Sequence, residues 1–97
     1  MFRRGGECVG LFCISKSGHD AGDYYVIVSA AGNFVHVSNG KNRTIQMPKK
    51  KNIAHLDITS TRVPELDKIL AMEMVAADHK LALLIKNYKK RKESGGV

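Results

Sequence analysis

The sequence predicts a mainly β protein with a helical tail: a small five-stranded barrel followed by one or two C-terminal amphipathic helices. Three observations carry this. Short runs rich in Val, Ile, Tyr and Phe recur between residues 7 and 57, each bounded by Gly, Asn, Ser or Pro. Beyond residue 62 the apolar spacing changes to the i, i+3, i+4, i+7 of a helix. The length of 97 residues holds one domain, or a small domain with an appendage.

Residues 1–6 make a short basic arm with Arg3, Arg4 and two glycines, expected to be loose. Residues 7–15 read as the first strand, with Val9, Leu11 and Cys13 on one face and Cys8, Phe12 and Ile14 on the other. Apolar residues on both faces predict that one side meets the barrel interior and that the C-terminal helices cover the other. The odd separation of Cys8 and Cys13 predicts opposite faces, so neither a disulfide nor a shared metal is expected between them. The polar loop Lys16-Ser-Gly-His-Asp-Ala-Gly-Asp23 leads into a second strand over 24–31. Gly18 and Gly22 are expected to shape this loop, Gly22 at a position that favours positive φ. A tight Gly32-Asn33 turn joins the third strand, 34–38. Asn39-Gly40 signals another turn, flanked by Lys41 and Arg43. A fourth strand is expected over 44–47, ended by Pro48, and a fifth over 53–57.

Five short strands with one long polar loop suit a strongly bent SH3-like barrel over residues 7–58. The expected core is Val9, Leu11, Val26, Val28, Phe34, Val37, Ile45, Ile53 and Leu56. Thr59-Ser-Thr61 reads as a linker. The helical extension is expected over 62–92, with Pro64 in the first turn and Glu65 and Asp67 at the positive end of the dipole. Leu66, Ile69 and Leu70 form one apolar stripe, extended by Met72 and Val75; Leu81, Leu84, Ile85 and Tyr88 form another. A bend near 76–78, with Asp78 capping the second helix, separates the two, although one continuous helix also fits. Residues 93–97 are expected to be a disordered tail.

The net charge of +7 is large for this length and points to a polyanionic partner. Through His55 the chain carries eight Lys and Arg against three acids; from Leu56 on it again carries eight, but against six acids. The β-rich half is therefore the more basic. Lys49-Lys50-Lys51 places three ammonium groups in a row, which repel unless a polyanion or water relieves them. Five cations between Lys86 and Lys92 exceed what a helix C-terminus needs, so a phosphate-gripping extension is expected there, with Tyr88 in the core.

No nucleophile, base and orienting group recur at recognisable spacing, so no enzyme activity and no cofactor are expected. Gly18 and Gly22 lack the Lys-Ser/Thr ending of a phosphate loop. No run approaches the roughly 20 apolar residues of a spanning helix, and Arg3-Arg4 precede too short an apolar run for a targeting segment. A cytoplasmic protein without a membrane or small-molecule partner is expected. The candidate binding residues are Lys16, Ser17, His19, Asp20, Lys41, Arg43, Lys49, Lys50, Lys51, Asn52 and His55. Among them Asp20 repels phosphate and is expected to orient Lys16 or the loop backbone. His55 suits either a phosphate or base contact or a rim position bonded to backbone.

Residues 7–57 resemble a KOW domain. The resemblance lies in Ser17-Gly-His-Asp-Ala-Gly22 followed by Tyr25-Val-Ile-Val28, in Phe34-Val-His-Val37 leading to Asn39-Gly-Lys-Asn-Arg43, and in Met47-Pro-Lys-Lys-Lys-Asn-Ile-Ala-His-Leu56. The last of these is the most specific. The pattern is similar to the single-KOW RNA-binding proteins of Gram-positive bacteria and to a large-subunit ribosomal protein family of archaea and eukaryotes. His19 departs from it, because the family usually carries an arginine there. The resemblance implies an SH3-like barrel that binds RNA, foremost ribosomal RNA, in a ribonucleoprotein acting in translation, with ribosomal proteins as neighbours. The alternative is a protein-interaction or transcription-associated module without RNA specificity of its own.

Overall fold

Strands that are apolar on both faces, β1 above all, set the architecture of the computed structural model, which describes residues 5–94. The strands are β1 (Leu11–Ser15), β2 (Tyr24–Ala31), β3 (Phe34–Ser38), β4 (Lys49–Asn52) and β5 (Leu56–Arg62). Two helices follow, α1 (Leu66–Leu70) and α2 (Met74–Ser94). The strands form one antiparallel sheet in the order β4-β3-β2-β1-β5.

The two edge strands, β4 and β5, are consecutive in the chain and joined only by the 3-10 turn Ile53–His55. Four residue steps from Asn52 to Leu56 span at most about 14 Å. Four strand spacings in a flat sheet would separate the edges by about 19 Å. The sheet must therefore curl. The 3-10 turn is tied on both sides, by Ile53 N–H to the Asn33 carbonyl (3.0 Å) and by Lys16 N–H to the His55 carbonyl (3.1 Å).

One face of the curled sheet buries Leu11, Cys13, Tyr25, Ile27, Val35, Val37 and Leu56, joined by Cys8. The other face, at Phe12 and Val26, is covered by Val63, Ile69, Ala77, Leu81, Ile85 and Tyr88. Both layers agree with the two-sided first strand. Phe12 and Tyr88 stack at 4.2 Å with their planes 3° apart, and Tyr88 is buried as expected. Leu84 packs against this layer from its margin.

Several expectations are corrected. Val26 faces the helical layer and Val28 packs at its margin; Tyr25 and Ile27 fill the inner face instead. Phe34 is 40% exposed, and Val35 takes its place inside. Tyr24-Tyr-Val-Ile-Val is apolar at every position, so the phase of its alternation is hidden. Cys8 lies in the 3-10 turn Gly5–Cys8, outside the strand, and so reaches the same core as Cys13. Burial, reinforced by Cys8 and opposed by Lys51, pushes the Cys13 thiol up to about 12, which keeps it protonated and inert.

Residues 44–47 form bends, not a strand, because Ile45 N–H is drawn to Asp78 Oδ1 on α2 at 2.9 Å. Lys49–Asn52 forms the fourth strand instead, and 56–62, including Thr59-Ser-Thr61, the fifth. Asp78 is thus a strut within α2. The cap is Glu73, whose carboxylate accepts from Val75 N–H (3.1 Å) and Ala76 N–H (3.2 Å), bonds that lower its pKa. The helices break at 71–73, earlier than 76–78, and α1 has only five residues. Ile69 is buried, whereas Leu70, Met72 and Val75 are exposed. Of the expected arm at 1–6, residues 5 and 6 belong to the 3-10 turn, and of the expected tail at 93–97, residues 93 and 94 are helical; residues 1–4 and 95–97 lie outside the described residues. Among the described residues no helix is long and apolar enough to cross a membrane.

Gly40 couples sheet to helix. It has φ +74°, and a β-carbon there would overlap the Asp78 carbonyl oxygen of α2. Gly40→Ala is expected to destabilise the protein by more than about 2 kcal/mol, through both backbone strain and overlap. Urea unfolding measures this, and an unchanged midpoint would mean that the turn does not rest on α2.

Candidate nucleic-acid interface

The loop between β1 and β2 begins as a closed hairpin: Gly22 N–H donates to the Ser15 carbonyl (2.7 Å) and Ser15 N–H to the Asp23 carbonyl (2.9 Å). Gly18 and Gly22 both have positive φ, +86° and +93°, as a loop-shaping role requires. Inside the loop, Asp20 is the fixed point. Its Oδ1 accepts from Lys51 Nζ at 2.9 Å and its Oδ2 accepts from Tyr25 Oη at 2.8 Å and Lys49 Nζ at 3.1 Å. The Ser15 hydroxyl lies 2.9 Å from Oδ1 and 3.0 Å from the Ser17 carbonyl, with one proton for the two.

Lys51 uses all three of its ammonium protons internally. They go to Asp20 Oδ1 (2.9 Å), Ser15 Oγ (2.9 Å) and the Ser17 carbonyl (3.1 Å). The Lys51 and Asp20 side chains are only 8% and 10% exposed. Burial of Asp20 would raise its pKa. Hydrogen bonds from Lys51, Tyr25, Ser15 and Lys49 outweigh that and hold the carboxyl well below the usual carboxylate range. Burial and the Asp20 charge together push the Tyr25 phenol up.

The lysine run is therefore divided by strand alternation. Lys49 and Lys51 point toward Asp20, while Lys50 points the opposite way, its ammonium 4.5 Å from the centre of the Phe34 ring. The repulsion expected within the run is relieved by the pleat and by one carboxylate. Asp20 does order the loop, but through Lys51 and Lys49 in place of Lys16. Lys51 is an internal group and is not presented to a phosphate.

The other candidates separate by position. In the β1-β2-β3-β4 meander, the loops 16–23 and 39–48 leave the same end of the sheet. Lys16, His19, Lys41 and Arg43 are all exposed on these two loops. The Lys49–Asp20 ion pair ties the first loop to the start of β4, where the second loop ends. Lys41 and Arg43 sit on a turn whose centre is the Asn39 side chain, which accepts from Lys41 N–H (2.9 Å) and Arg43 N–H (3.1 Å). Ser17 is half-buried and contributes its carbonyl to Lys51. Asn52 lies at the far end of β4, opposite Phe34, and caps the 3-10 turn through Ala54 N–H at 2.9 Å. The His55 ring is exposed, and its carbonyl accepts from Lys16.

The helical tail adds cations to this end. A groove of ≈ 390 Å³ runs between α2 and the 39–43 turn, lined by Lys41, Lys86, Lys89, Asp23 and Tyr24. On the other flank of α2 a larger, mostly apolar groove of ≈ 560 Å³ is rimmed by Arg62, Lys90 and Arg91. Sequence reasoning missed Tyr25 and Ser15 as partners of the loop, and Tyr24 as part of a groove. Their signal is a hydroxyl on an otherwise apolar strand position, which needs a polar partner when buried.

No protein-family model matches the chain, and a search of curated proteins returns no match.

Asp20→Ala leaves the Lys51 ammonium buried without its counter-charge and is expected to cost about 3–5 kcal/mol in urea unfolding. The Asp20 pKa is depressed in the folded state. Its contribution is therefore full above the unfolded carboxylate value, about 3.9, and is lost as pH falls through and below it. Wild-type stability should decline from about pH 5 downward, and Asp20→Asn should flatten that decline. Parallel acid slopes in the two proteins would show that the network does not carry it.

Proposed function

We propose that this chain is a KOW-type RNA-binding protein of the cytoplasm, associated with the ribosome, whose curled sheet is an SH3-like barrel. One observation carries the reading. After the Asp20 network has taken Lys49 and Lys51, the exposed cations Lys16, Lys41 and Arg43 still stand on two loops at one end of the sheet, with His19 beside them. Such a face neutralises phosphates and releases counterions, while loop side chains fit 2′-hydroxyls or splayed bases. The link to ribosomal RNA and translation comes from the sequence resemblance to KOW proteins. The edge-to-edge 3-10 connection and the positive-φ glycines of the first loop support the same fold.

A second reading has its own observation. Leu70, Met72 and Met74 are exposed and line a small groove with Ile45 at the α1–α2 junction. An apolar, Met-rich surface of this kind suits a protein partner, as in a transcription-associated or interaction module.

Titration of the full chain with a structured ribosomal RNA fragment tests the first reading. Affinity should fall steeply with salt, and K41A/R43A should reduce the log–log slope by about 2, one for each phosphate that the variant no longer neutralises. No binding at low salt would reject RNA as the partner and leave the apolar surface as the stronger lead.

A further inference from the structure

We infer that the groove between α2 and the 39–43 turn seats an unpaired nucleotide, so that the chain prefers single-stranded or looped RNA over uninterrupted duplex. The inference rests on the RNA-binding reading above and names the kind of RNA it selects.

Shape is the first ground. The groove is concave, ≈ 390 Å³, and walled by two elements that Gly40 and Asp78 lock together. A duplex is convex and keeps its base faces stacked inside, so it rides over such a groove. An unpaired nucleotide exposes both backbone and base and can enter it.

The charges fit a strand passing through. Lys41 stands on one wall; Lys86 and Lys89, three residues apart and so on one flank of α2, stand on the other. Asp23 also lines the groove. It keeps phosphate away from its own position, and it can accept a hydrogen bond from a 2′-hydroxyl or an exocyclic amine.

The floor supplies a stacking surface. Tyr24 is half-buried, held edge-on to Tyr88 at 6.2 Å and 62°. Lys89 Nζ lies 5.5 Å from the centre of the Tyr24 ring. A long, exposed lysine is a removable cover. When a phosphate reaches the groove, the Lys89 ammonium turns to it and frees the ring for a base. A base on an aromatic ring is the stronger contact of the two, so the exchange is favourable. Tyr24 thus has a use beyond the packing it shares with Tyr88.

The chain contains no tryptophan, so Y24W places its only indole in the groove. The probes are a short oligoadenylate and a blunt RNA duplex of the same length, at one salt concentration, with the full chain. Oligoadenylate is expected to quench the indole emission of Y24W and duplex to leave it unchanged. K86Q/K89Q, which changes only exposed side chains and answers the question even if Y24W does not fold, should weaken oligoadenylate binding by roughly tenfold and duplex binding far less. Bound oligoadenylate without quenching, K86Q/K89Q binding it as tightly as wild type, or duplex bound in preference would overturn the groove and leave RNA binding standing. Failure of wild type to bind either RNA would overturn both.

Discussion

A carboxylate and an ammonium taken out of water at the base of the first loop constrain most of this molecule. Removing two such charges from solvent costs several kcal/mol each, and the pair is tolerable only when every remaining polar atom is met. Here it is: among the described residues no buried side-chain nitrogen or oxygen lacks a partner. Lys51 reaches from the edge strand β4 to Ser15 on β1 and to the 16–23 loop, so the pair bridges parts of the sheet that share no backbone ladder. It adds directional bonds to a small apolar core and gives the loop a single conformation. Replacing it with apolar side chains of similar volume would leave the sheet curled but the loop free to wander.

The second face of the sheet is closed by a different kind of packing. α2 lies on Phe12 and Val26 through Ala77, Leu81, Ile85 and Tyr88, and is fastened at Gly40 and Asp78. A domain of this size buries little surface alone, so the helix is a structural layer before it is anything else. Because it is fastened there, the cations on its flanks are held in fixed relation to the 39–43 turn.

Much of this was legible in the residues. Gly32-Asn33 marks its hairpin, the 81/84/85/88 stripe marks the buried side of α2, and the apolar first strand announces two covered faces. The lysine run was not legible as a strand. Lysine has low β propensity, and its edge position here follows from bonds made far away in sequence, at Asp20 and Ser15. Residues 44–47 look like a strand and are not one, because their backbone is claimed by a helix more than thirty residues downstream. Local pattern cannot reveal a competitor at that distance. The same limit applies to Lys51, whose neighbours in the chain say surface and whose neighbours in space say interior.

The pairing of β1 with β5 has a consequence for how the chain is made. Leu11 meets Arg62 and Ser15 meets Leu56, so β1 waits for some forty to fifty further residues before its second side is hydrogen-bonded. Contacts of such long sequence separation form slowly. A nascent chain not yet extended through Arg62 holds β2 and β3 in a hairpin beside an open, apolar β1 edge, a surface prone to join a neighbour of its own kind. α2 follows β5 in the chain, so the cover for the second apolar face arrives only after the strand that seals that edge.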